Sequence, residues 1–207
     1  MKKIFFSSLF IVFLSACSST YTSYRVSLDS VECPTDTKIQ YVEKRIILVA
    51  RKNGISTNRY EDENIKIAWN YGDNQIDFTL TNKSDFAIIL PWDKMSYVNE
   101  LGNAMRVVHS GVLYAYRNEP QTETIIPQNA TFKDFLIPSE NIHTLGSDYG
   151  GFGEKRLLPE YFSQEEANNS PLLGKKVRVF FPIIIQDVQN EYIFEFSIDE
   201  VVVNELY

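Results

Sequence analysis

Along much of the chain apolar and polar side chains alternate with a period of two. Ile65, Ile67 and Trp69 fall on one face, and Lys66, Ala68 and Asn70 on the other. Ile76, Phe78 and Leu80 oppose Asp77, Thr79 and Thr81, and Tyr192, Phe194, Phe196 and Ile198 oppose Glu195, Ser197 and Asp199. This is the pattern of half-buried β-strands. Further strands are predicted near residues 24–30, 41–50, 86–90, 104–109, 112–116 and 177–185. Turn-forming clusters at 71–74, 82–85, 100–103 and 187–190 separate the runs, each rich in Gly, Asn, Asp or Ser. Many short strands at this spacing, without sustained helical periodicity, predict an all-β antiparallel sandwich over residues 24–207.

Residues 144–175 depart from the pattern. Gly146 to Gly153 is too rich in glycine for a regular strand, and Leu157 to Asn168 reads as a short helix with Ser163 and Glu166 at capping-box spacing. We therefore expect one long insertion here, made of loop and short helix. A connection of that length inside a compact domain is commonly functional.

The amino terminus follows other rules. Met1-Lys2-Lys3 is positive, Ile4 to Phe13 is apolar apart from Ser7 and Ser8, and Leu14-Ser15-Ala16-Cys17 follows. A positive start, a short apolar run and small residues before a cut describe a secretory signal. The run falls short of the roughly 20 residues needed to cross a bilayer. Leu14-Ser15-Ala16-Cys17 resembles the lipobox of bacterial lipoproteins. That resemblance implies cleavage after residue 16, a diacylglyceryl group on the Cys17 thiol and a short tether over 17–23. It also implies a lipid-bilayer partner reached through acylated Cys17. Two or three acyl chains hold a protein stably at a membrane, where one does so only marginally. Ser18 stands where an aspartate favours inner-membrane retention in enterobacterial lipoproteins, so the outer membrane is expected, with the domain facing the periplasm.

A second resemblance lies in Phe78-Thr79-Leu80-Thr81-Asn82-Lys83-Ser84-Asp85 with Ile88-Ile89. It is similar to a strand–turn–strand of immunoglobulin-like domains in exported bacterial proteins, and Ile126 to Thr131 is similar to a later strand of such domains. It implies an immunoglobulin-like sandwich without the paired core cysteines of antibody domains.

Composition narrows the function classes. The chain has 207 residues, 44% hydrophobic and 23% charged, with a net charge of −7. An acidic balance argues against a nucleic-acid partner, which needs a basic stripe. With Cys17 acylated, Cys33 is the remaining thiol, and it is expected as a small buried apolar residue. No G-x-S-x-G or H-E-x-x-H motif is present. His109 and His143 lack metal-ligand spacing. His109 and Ser110 are adjacent on an extended segment and point apart, so they cannot pair as base and nucleophile. Glu61-Asp62-Glu63-Asn64, Asp73-Asn74 and Glu165-Glu166 read as solvated turns and a helix face, without an EF-hand pattern. No cofactor or metal is expected.

What remains are aromatics outside the obvious strands. Trp92 and Tyr97, together with Tyr149 and Phe152 in the glycine-rich loop, are the candidate recognition residues, since such side chains bring large contact area to an interface. The expected function is a non-catalytic binding or envelope-assembly module. The competing readings are a periplasmic hydrolase in which a histidine meets carboxylates in a cleft, and a purely structural subunit of an outer-membrane complex.

Overall fold

Residues 65–71 and 76–82 send every second side chain inward. The computed structural model of the chain describes residues 19–52, 55–146 and 150–206, and both segments are strands in it. In chain order the first strands are β1 (Ser19–Pro34), β2 (Lys44–Leu48), β3 (Arg51–Lys52), β4 (Ile55–Ser56), β5 (Arg59–Glu61), β6 (Ile65–Tyr71), β7 (Ile76–Asn82) and β8 (Ile88–Leu90). Then come β9 (Ser96–Val98), β10 (Ala104–Val108), β11 (Thr124–Ile126), β12 (Thr131–Pro138), β13 (Ile142–Thr144) and β14 (Phe152–Glu154). The helix α1 (Gln164–Asn168) precedes β15 (Lys176–Ile185) and β16 (Val188–Leu206).

All the pairings are antiparallel. One layer runs β5-β6-β7-β12 and the other β9-β15-β16-β1-β2. β7 pairs with β12, not with its sequence neighbour β8, and β9 pairs with β15. β10 joins the layers by pairing with β9 through Ala104–Arg106 and with β12 through Val107 and Val108. The strands thus form one curled antiparallel sheet whose two halves face each other in a sandwich-like arrangement.

The alternating residues meet between the layers. Ile65, Ile67, Ile76, Leu80, Tyr192, Phe194, Phe196 and Ile198 are fully buried. Trp69 of β6 lies 5.5 Å from Phe78, 5.6 Å from Phe181, 4.9 Å from Phe194 and 5.7 Å from Phe196, ring centre to ring centre. Three of those four rings belong to the opposite layer, at separations typical of aromatic packing. Cys33 is buried in the same core as a free thiol.

Three expectations change. Residues 19–23, expected as tether, belong to β1, where Ser19 pairs with Leu206 and Ser23 with Val202. The serines and threonines there alternate as a strand with a partner from the far end of the chain, which local composition does not reveal. Residues 112–116, expected as strand, form a turn and the 3₁₀ helix Tyr114–Tyr116, because the Val112 amide donates to the His109 carbonyl and reverses the chain. The strand expected over 41–50 shortens to Lys44–Leu48.

The β1–β16 ladder carries two bulges, at Asp29 and Asp199, where the register shifts by one residue. Both extra residues are aspartates, and Arg51 bonds both, at 3.1 Å to Asp29 and 3.2 Å to Asp199. Lys176 adds an ion pair to Asp29, whose carboxyl is held below its usual range chiefly by that bond.

The insertion over 144–175 covers the free flank of this ribbon. The Tyr161 amide donates to Thr22 Oγ1 at 2.8 Å, and Gln164 bonds β16 at both the Val201 carbonyl and the Val203 amide. Leu157, Leu158, Ala167 and Leu172 are buried in the main core. Ser163 caps α1 by accepting from the Glu166 amide at 3.1 Å, while the Glu166 carboxylate reaches back to the Phe162 amide at 3.0 Å. The capping signal at Ser163 and Glu166 therefore marks the start of a real helix, shorter than the twelve-residue span expected.

Because Trp69 spans the layers, Trp69→Ala should cost roughly 3–5 kcal/mol. Urea unfolding of the two proteins measures this. A loss below about 1 kcal/mol would mean that the ring is not a packing keystone.

Candidate functional site

Of the four recognition residues expected from sequence, the three that are described, Trp92, Tyr97 and Phe152, do not form a shared surface. Trp92 is fully buried; its Nε1 donates to Thr124 Oγ1 at 2.9 Å and its ring is stacked on another ring. Tyr97 is also buried on β9, its hydroxyl 2.8 Å from that of Tyr71, and burial raises its phenol above the usual range. Neither side chain is available to a ligand. Their segment carries no clear alternation in sequence, which is why they stand out there as candidates, yet Tyr97 belongs to β9 and Trp92 opens the 3₁₀ turn before it. Phe152 lies on β14, half-buried and edge-on to Tyr114 at 6.3 Å with Arg117 over its face, so it packs against the 3₁₀ turn that follows β10. Tyr149, like Cys17 and the signal segment, lies outside the described residues.

Trp92 nevertheless leads to the most structured polar feature of the molecule. Its ring partner is His109, parallel within 4° at 4.0 Å. His109 follows β10, and its Nδ1 lies 3.1 Å from Asp134 Oδ2 on β12. The other carboxylate oxygen accepts from the amides of Ser110 at 3.0 Å and Phe135 at 2.8 Å. Burial pushes the Asp134 carboxyl up, but these bonds outweigh it and hold the group below its ordinary value. In the tautomer whose Nδ1–H donates to the Asp134 carboxylate, Nε2 is left as the acceptor of the ring. Gly111 completes the turn: a Cβ there would stand 2.8 Å from His109 Cε1, closer than atoms can approach.

Outside this clamp is a cleft of about 450 Å³, bordered by His109, Leu113, Tyr116, Glu119, Gln121 and Glu123 among others. That size is within the usual range for a ligand site. Leu113 and Tyr116 are 71% and 60% exposed. Gln121 is 8% exposed and fixed from two sides: its amide donates to Asp93 and its Nε2 donates to the Val107 carbonyl at 2.8 Å. Its Oε1 is buried without a hydrogen-bond partner. A buried acceptor left unpaired is costly, of order 1–3 kcal/mol, and so marks the wall it sits in.

Two other clefts of similar size each hold a cation that is already paired. In one, near Asp93 and Met105, Arg106 is paired with Asp93 at 2.5 Å and also bonds the Asn118 carbonyl. In the other, near Thr35 and Asp85, Lys83 is paired with Glu61 at 2.8 Å. The acidic turn at 61–64 is likewise committed. Asp62 accepts from Tyr60 and Tyr192 hydroxyls and from the amides of Asn64 and Ile65. Among the described residues no group of three or more metal-ligating side chains is brought together. His143, on β13, is paired with Gly153 of β14, and its Nδ1 has no partner.

Sequence reasoning missed Asp134, Gln121, Leu113 and Tyr116. A signal existed for Asp134: within Phe132-Lys133-Asp134-Phe135-Leu136 it occupies an inward position, and a carboxylate there has to be paired. Gln121 had no such signal, since its burial depends on Asp93 and Val107, both distant in sequence.

No family model, no curated protein and no solved structure matches the chain.

The clamp predicts a pH signature. The folded pKa of Asp134 lies below its unfolded value of about 3.9, so its stabilisation is complete above that value and is lost as pH falls through the folded pKa. Asp134→Asn should lose about 2 kcal/mol near neutral pH. Its Tm deficit relative to the parent should narrow below about pH 4. A deficit that stays constant through the acid range would show that the charge of Asp134 contributes nothing.

Proposed function

We propose that the chain is an acylated envelope lipoprotein whose β-sandwich is a non-catalytic binding module, with the cleft beside His109 as its recognition site. The observation that carries the binding part is the cleft of about 450 Å³, with a rigidly held Gln121 in its wall. Exposed Leu113 and Tyr116 supply contact area on a wall fixed by the His109–Asp134 clamp.

The anchor reading rests on the lipobox resemblance at Leu14-Ser15-Ala16-Cys17. β1 begins at Ser19, so acyl chains on Cys17 would attach almost directly to the ribbon, with outer-membrane placement following from Ser18. The envelope-hydrolase reading draws on the same clamp, because a carboxylate on Nδ1 is how a histidine base is oriented. It lacks a partner for that base: among the described residues no hydroxyl or thiol is hydrogen-bonded to His109 Nε2, and Ser110 contributes only its backbone amide.

Two measurements test the proposal. Cells fed an alkyne-bearing palmitate should label the parent protein and not Cys17→Ser; label persisting on the variant would remove the anchor. A photo-crosslinking residue in place of Leu113 should give discrete adducts in intact cells. A folded, acylated protein giving none would remove the cleft as the recognition site.

A further inference from the structure

The chemistry of the cleft specifies a class of ligand. Gln121 forms part of the wall, held because its Nε2 donates to the Val107 carbonyl, while its unpaired Oε1 is buried away from solvent. His109 Nε2 is an acceptor when Nδ1 donates to Asp134. Glu119 and Glu123 border the same space, and neither side chain is in an ion pair among the described residues. No lysine or arginine borders it. The polar capacity of the cleft is therefore dominated by acceptors and negative charge, beside an aliphatic and an aromatic surface at Leu113 and Tyr116. A cation on an apolar stem suits this lining, with the stem on Leu113, the charge available to the Tyr116 ring and the carboxylates, and an N–H for His109 Nε2.

The cleft also adjoins an unpaired sheet edge. β11 begins at Thr124, itself a residue of the cleft, and pairs only with β8. Ile125 in the middle of β11 is 65% exposed. A peptide laid along that edge gains main-chain hydrogen bonds while its side chains supply specificity, the mode by which extended segments add to a sheet. We propose that the cleft binds an extended peptide segment through a lysine or arginine side chain, with the segment running beside β11. This rests on the binding reading above and names its ligand.

The test uses the full acylated chain in detergent micelles and fluorescein-labelled pentapeptides Ala-Val-X-Val-Thr, where X is Lys, Arg, norleucine or Glu. Fluorescence anisotropy should show the Lys and Arg peptides binding about tenfold or more tighter than the norleucine peptide, with the Glu peptide weakest. The double variant Glu119→Gln, Glu123→Gln, at two exposed positions, should lose about tenfold for the Lys peptide and nothing for norleucine. Equal binding of the Lys and norleucine peptides overturns the cationic class while leaving a binding cleft in place. Displacement of the Lys peptide by spermidine at matching concentration overturns the peptide and points to a free amine. If no peptide binds while the Leu113 crosslinker still captures adducts in cells, this proposal alone fails. If both are negative, the underlying binding reading fails with it.

Discussion

The contact of Trp69 with rings from both layers is the constraint on which the rest of this molecule depends. A sandwich of short strands has little ladder of its own to hold it, since β5, β8, β9 and β11 are only three residues long. What fixes their positions is the sheet-to-sheet spacing, and that spacing is set by large rings interdigitating at about 5–6 Å from Phe78 and Phe181 to Phe194 and Phe196. β10 can serve both layers only because they are held at that distance, and His109 leaves the sheet where β10 ends. The position of the cleft is thus inherited from the core.

The clamp below the cleft shows how a buried ion-capable pair can be structural and chemically consequential together. Asp134 satisfies two backbone amides and one imidazole nitrogen, which stabilises a tight reversal over residues 109–112 that no regular element could make. The reversal throws Leu113 and Tyr116 outward. Trp92 on one face of the imidazole and Gly111 against it leave the ring no freedom to turn, so whichever ligand arrives meets a preorganised surface.

Most of the fold was legible because a strand announces its faces every second residue. Ile65, Ile67 and Trp69, or Tyr192, Phe194, Phe196 and Ile198, could be assigned inward from sequence alone, and all are buried. What alternation does not encode is the partner strand. Residues 19–23 were unreadable as strand because their partner, residues 202–206, lies at the far end of the chain. The insertion over 144–175 was legible as an interruption, with Ser163 and Glu166 marking its helix, but not as a cover for the β1–β16 ribbon. The site was less legible still. Trp92 was singled out for its chemistry and proved to act from inside, behind His109. Gln121 carries its meaning entirely through tertiary contacts, and a lone glutamine in a loop has no pattern to betray it.

The pairing of Ser19 with Leu206 has a consequence for how this protein comes into being. The first strand to leave the ribosome is completed by the last, so the ribbon has nothing to close on until nearly the whole chain has emerged. Closure of that ladder waits for the last strand, at the end of the molecule where, on the proposed reading, an acyl anchor would sit. Topology here sets the timetable: contacts between the two ends of a chain are the slowest to form, and this protein has placed its longest ladder there.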